Sequence, residues 1–215
     1  MGIPHQSDAF GATWVAGVLF LAFVGLAWVN MNAPKQWRLM ARSALQLRLG
    51  RQVLREELDL QDRGLLALLI VALTVVGLFL LQAGAEFQGL VFSLTAYGKV
   101  LLAALAIVLA QVVLLRLLSF LFQGDQGATE FLYTGLVLLA GVALLLLPLI
   151  LLAAYQPSVR REVLLAGTAL LALALLFRWL RGLVIGVGEH IPVRYILLYL
   201  CAAEMLPALL ATRLL

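Results

Sequence analysis

Six separate stretches of this chain are each long and apolar enough to cross a lipid bilayer, and no other feature restricts its fold so severely. About 20 apolar residues are needed to cross a hydrocarbon core roughly 30 Å thick. Windows of that kind run approximately over residues 9–30, 64–84, 98–122, 131–155, 163–181 and 194–213. In lipid the backbone must satisfy its own N–H and C=O groups, which leaves the helix for segments of this length. The expected fold class is therefore all-α: one integral membrane domain over residues 1–215, a polytopic transmembrane helical bundle of six spans. Pro148 interrupts the fourth window and Arg178 stands near the end of the fifth, so five spans is the fallback count. Composition agrees, with 64% hydrophobic and 12% charged residues, against roughly 45–50% and 25% in a soluble domain.

Orientation follows from Lys and Arg, which prefer the cytoplasmic side of short loops. Lys35, Arg38, Arg42, Arg48, Arg51, Arg55 and Arg63 lie between spans one and two; Arg116, Arg178, Arg181 and Arg194 fall on the same side of the alternating topology. Lys99, Arg160, Arg161 and Arg213 fall on the other, with Arg160-Arg161 as the dissenting pair. Both termini are thus expected outside the cytoplasm, with segment 31–63 inside. The amino terminus lacks the positive n-region of a signal peptide, so the first span is expected to be retained. The net charge of +4 is largely this orientation signal. A nucleic-acid partner is not expected.

Segment 31–63 is too short for a domain. Trp37, Met40, Ala44 and Leu47 recur at helical spacing, with Lys35, Arg38 and Arg42 on the other side. That pattern fits a short amphipathic helix on an anionic surface, followed after Gly50 by a second one. Lys35, Trp37, Arg38 and Arg42 are the candidate docking residues for a partner or for acidic membrane lipids; the alternative is a connector whose charges only fix topology.

One residue stands out at membrane depth. Glu204 lies in the middle of span six, where a carboxyl costs on the order of 2.5 to 3.5 kcal/mol on insertion scales and needs a partner, a proton or a function. Leu197, Cys201, Glu204, Ala208 and Ala211 share one small, partly polar helical face that admits a close neighbour. Pro207 frees the carbonyl of Ala203 beside that face. Arg116, late in span three after Gln111, either snorkels to the interface or pairs with Glu204. Glu204, Cys201, Pro207 and Arg116 are the intramembrane candidates. Ala103, Ala106 and Ala110 form a candidate packing face on span three, and Pro148 is expected to kink span four.

Catalytic signatures are lacking: there is no nucleotide-binding glycine fingerprint, HExxH or nucleophile elbow. Cys201 is the only cysteine, which excludes an intramolecular disulfide. Glu189 and His190 are too few ligands for a metal. No metal, cofactor or catalytic residue is therefore expected. These observations favour a non-enzymatic accessory or assembly subunit of a membrane complex, meeting a membrane-protein partner or a second copy of itself. The alternative is a small proton-coupled transporter or lipid-handling protein using Glu204.

Span six carries a resemblance. Its sequence RYILLYLCAAEMLPALLATRLL, with Arg194, Tyr199, Cys201, Glu204 and Pro207, resembles the carboxy-terminal signature of small polytopic bacterial membrane proteins grouped as domain of unknown function 4271. LLLLPLILLAAY around Pro148 and LRLGRQVLREE over residues 47–57 are similar to that family too. Ala203 stands where a larger apolar residue is expected. The resemblance implies a bacterial inner-membrane protein of the Bacteroidota type, and implies no activity.

Overall fold

The structure, a computed structural model, describes Phe10 and residues 13–32, 63–122 and 125–188. Within them every long element is an α-helix: α1 (Thr13–Asn32), α2 (Arg63–Gln88), α3 (Leu94–Phe122), α4 (Asp125–Tyr155) and α5 (Arg160–Gly188), with a 3-10 turn at Pro157–Val159. All five are long and apolar enough to cross a membrane. The expected sixth span, 194–213, and the segment between α1 and α2 lie outside the described residues.

The helices run past the apolar windows because their ends are set by capping rather than by hydropathy. α3 begins four residues before the expected 98, where Ser93 acts as its N-cap: the Ser93 hydroxyl accepts a hydrogen bond from Ala96 N at 3.1 Å, satisfying one of the free amides of a first turn. α2 continues through Gln82, Gly84 and Glu86 to Gln88. It stops at Gly89, whose φ of +70° is easy only for glycine. Leu90 N then donates to Gly84 O at 3.3 Å, and the Leu90 side chain folds back over Gly84. Gly89→Ala is expected to cost about 1 kcal/mol, the penalty for a Cβ in the left-handed region, read as a lowered midpoint of thermal unfolding in detergent.

Short connections turn successive helices back on one another. The start of α1, the α2–α3 turn and the α4–α5 turn share one end of the bundle, here the near end. Asn32, Arg63 and Gly188 mark the far end. Two-thirds of the α2 span, 67%, is buried, against 11% for α3 and for α5, so α2 is the axis. α4 packs along it, α1 and α3 flank it, and α5 packs on α4 and reaches α2. Small residues set the spacing. A methyl on Gly25 of α1 would come 2.5 Å from Val71 Cγ2, and one on Gly167 of α5 would overlap the fully buried Phe79 ring of α2. Outward faces are apolar instead of charged, with Phe20 and Leu21 of α1, Leu102 and Leu109 of α3, and Leu173 and Leu180 of α5 all exposed. Such a surface suits lipid rather than water.

One expectation about how the spans pack needs correction. Ala103, Ala106 and Ala110 are not packed as a seam: Ala106 and Ala110 are exposed and Ala103 is only partly buried. α3 meets α2 through Tyr97 and Leu101, which lie against Gly77, while the Tyr97 hydroxyl donates to Thr74 O at 3.2 Å. A ring and a hydroxyl supply contact that an alanine stripe cannot. Pro148 lies inside α4, whose helical assignment is unbroken from 125 to 155, and its side chain is exposed.

Candidate functional site

Polar side chains buried in an apolar bundle are the natural candidates for function, because each costs about 1–3 kcal/mol if its hydrogen bonds are not replaced. Gln82, Thr134 and Arg181 are such residues, and Arg178 is partly buried beside them. They divide between the two ends.

At the far end, a basic cluster joins three helices. Arg178 lies 18 residues along α5 and Gln111 lies 17 along α3. Since both helices run in the same direction, the two side chains reach the same level, roughly 25 Å from the near end at about 1.5 Å per residue. Arg178 Nη2 donates to Gln111 Oε1 at 3.3 Å. Between them passes the first part of α4, and its sequence makes the room. Gly135 has no side chain, and a methyl there would come 3.2 Å from Arg178 Cζ and Nη1. One turn earlier, the Phe131 ring lies with its centroid 5.3 Å from Arg178 Cζ, a cation–π geometry. Gly182, one turn beyond Arg178, lets the same face of α5 close on that ring, where a methyl would sit 2.9 Å from Phe131 Cε2. Arg181 is 3% exposed. The Thr134 hydroxyl turns back on its own helix and donates to Phe131 O at 3.2 Å. The Arg178 guanidinium is thus held between an amide and an aromatic ring, with a second, buried arginine one turn away, an arrangement suited to gripping a neighbouring helix or an anionic group.

At the near end the cluster is aromatic. Phe10 stacks on Phe92 with centroids 4.6 Å apart, and Trp14 contacts Phe92 at 5.1 Å and Tyr97 at 5.8 Å. Arg160 completes it: its guanidinium lies 4.2 Å from the Phe10 centroid and its Nε donates to Ala153 O at 2.9 Å. That carbonyl is one of the last in α4, which have no partner within the helix. Arg160, half of the pair that dissented from the charge rule, therefore has a structural reason to be at this end. Below lies Gln82, fully buried, with neither Nε2 nor Oε1 hydrogen-bonded among the described residues.

Of the residues singled out from sequence, Arg116 is exposed on α3. Glu204, Cys201, Pro207, Lys35, Trp37, Arg38 and Arg42 lie outside the described residues. Gln111 and Arg178 are brought together although nothing in their sequence positions pairs them. Gln82 leaves almost no trace in the sequence: a neutral amide barely lowers a hydropathy window, and only a helical wheel placing it on the same face as Val71 and Val75 would flag it. Among the described residues no group of three or more His, Cys, Asp or Glu could hold a metal ion.

Comparison with known proteins leaves the fold without a solved counterpart: no solved structure and no curated protein matches the chain. One family does, over residues 15–215, that described as Domain of unknown function (DUF4271). A match across nearly the whole chain, covering all five helices and the carboxy-terminal stretch with Glu204, means that this protein belongs to the DUF4271 family.

Proposed function

We propose that this protein is a non-enzymatic accessory or assembly subunit of a complex in the bacterial inner membrane, a multi-pass chain with both termini on the periplasmic side and the basic segment 31–63 in the cytoplasm. The observation that supports this reading is the separation of the polar groups. Gln82 lies level with Leu164 by the Phe79–Gly167 contact, whereas Arg178 lies 14 residues further along α5, about 20 Å away. The interface between them, lined by Leu68, Ala72, Val75, Ala140 and Ala143, is wholly apolar. Chemistry on a substrate needs its acid, base and binding groups within hydrogen-bond reach of one point. A scaffold needs only rigid helices and a few polar grips, which this bundle has.

The partner is expected to be a membrane protein that meets segment 31–63 or the face of span six bearing Glu204. Gentle crosslinking, purification in mild detergent and mass spectrometry should recover it in stoichiometric amount. Replacing Arg38 and Arg42 by Ala should lower that recovery at least about five-fold, or 1 kcal/mol at about 1.4 kcal/mol per ten-fold; equal recovery from mutant and native membranes would remove the docking claim. A chain that purifies alone or with bound lipid only would favour the second reading, proton-coupled transport or lipid handling through Glu204. In that case Glu204→Gln should abolish function in a protein that still folds, because it keeps the hydrogen bonds and removes the titrating proton.

A further inference from the structure

The near end holds a feature that an assembly role does not use. Val71 and Gly25 mark where α1 and α2 touch. Gln82 is eleven residues beyond Val71 on α2, and Trp14 is eleven residues before Gly25 on α1. An interval of eleven residues returns to the same helical face to within about 20°. In two antiparallel helices it also moves both partners to the same level. The register therefore places Gln82 opposite Trp14 across the α1–α2 interface.

The environment of the amide is dry. Val15, Ile150 and Leu164, at the same level on α1, α4 and α5, are each 0% exposed. An amide with no partner in such a place is at odds with the rule that buried polar groups are hydrogen-bonded. What covers it is attached more loosely than the core below. Phe10 and Trp14 are held by ring contacts with Phe92 and Tyr97 and by the Arg160 cation, and Trp14 is only partly buried. Segments with few buried contacts are those that open first.

We infer that Gln82 is the floor of a binding site that opens at the near end when Trp14 swings away, and that the site takes a neutral group able both to donate and to accept hydrogen bonds, an amide or a hydroxyl. A primary amide supplies one acceptor and two donors, which matches such a group. An ion is rejected, because the aliphatic walls offer nothing to replace its hydration.

The test uses the full chain in lipid nanodiscs carrying Gln82→Cys. The introduced thiol is alkylated with neutral iodoacetamide or anionic iodoacetate, and the modified peptides are mapped by mass spectrometry so that Cys201 is scored separately. Leu78→Cys, one turn deeper and also 0% exposed, is the buried control, and Gln88→Cys at the exposed end of α2 is the open one. Iodoacetamide is expected to modify the thiol of Gln82→Cys at least ten-fold faster than that of Leu78→Cys. Adding Trp14→Ala is expected to raise the rate at position 82 several-fold further. Iodoacetate is expected to be at least ten-fold more disfavoured at position 82 than at position 88. Equal rates at positions 82 and 78, no response to Trp14→Ala, or equal discrimination at positions 82 and 88 would each overturn the proposal. Should Gln82→Cys not fold, Gln82→Leu decides: replacing an unpartnered amide with an apolar group of similar size is expected to raise the unfolding temperature, whereas a lowered one would mean that the amide's bonds are made within the fold.

Discussion

Gly167→Leu is expected to lift α5 off the bundle axis and to lower stability by about 1–3 kcal/mol, the usual range for overpacking a filled interior. The reason is geometric. Even a single methyl on Gly167 overlaps the Phe79 ring and comes 3.3 Å from Leu146 Cδ2. Phe79 and Leu146 are both 0% exposed, so neither can turn away without displacing its own neighbours. Helix association in lipid gains little from removing apolar surface from its surroundings, since lipid tails are as apolar as leucine, and depends on close packing. A lost fit at this point therefore has few compensations. Stability is read as the free energy of unfolding in mixed micelles. Phe79→Ala in the same chain should restore part of the loss by making room, which a nonspecific defect of insertion would not show. Gly17→Leu is the control, because nothing lies within 4 Å of a Cβ placed there and the position is exposed, and it should leave stability within about 0.5 kcal/mol, as for other surface changes. An undisturbed Gly167→Leu protein would mean that α5 does not sit against α2 as described.

The second large effect is expected at Arg178→Met, which keeps most of the side chain's length and removes its charge and donors. Hydrogen bonds to charged groups contribute about 1.5–3 kcal/mol, and the ring contact with Phe131 adds to this, so a loss of about 2 kcal/mol is expected. The Arg178–Gln111 bond links α3 to α5 across Gly135 of α4. A double-mutant cycle with Gln111→Leu isolates it, and a coupling of about 0.6–1.7 kcal/mol is expected, the range for interhelical hydrogen bonds in membrane proteins. Additive single effects would show that the two side chains do not act together. If the cluster also grips a partner, Arg178→Met should weaken copurification more than Gly89→Ala, which disturbs stability at the opposite end.

The helices themselves were legible because an apolar window of about 20 residues leaves little but a helix, and five of the six expected windows correspond to α1–α5. Their exact ends were not. Hydropathy averages over many residues, whereas α3 starts at Ser93 through one hydroxyl and α2 ends at Gly89 through one dihedral angle. The packing faces were less legible still. Three alanines on α3 looked like a helix-packing seam, yet none of them is buried and the seam runs through Tyr97 and Leu101. In a span that is apolar on every side, periodicity carries no inward direction, because lipid and protein interior favour the same residues.

Sequence alone determined those properties that depend on single-residue transfer energies and local geometry: that this is a helical chain of several apolar spans and, through its matching motifs, that it belongs to the DUF4271 family. Only the tertiary structure decided which polar residues meet. Gln111 and Arg178 are 67 residues apart in the chain, and they meet because Gly135 leaves a gap at their common level. Gln82 and Trp14 fall at one level of the α1–α2 interface because the Gly25–Val71 contact sets the register of α1 on α2. Such pairings depend on how whole helices are placed against one another, and this is set by a few small residues whose importance appears only when the surface they meet is known.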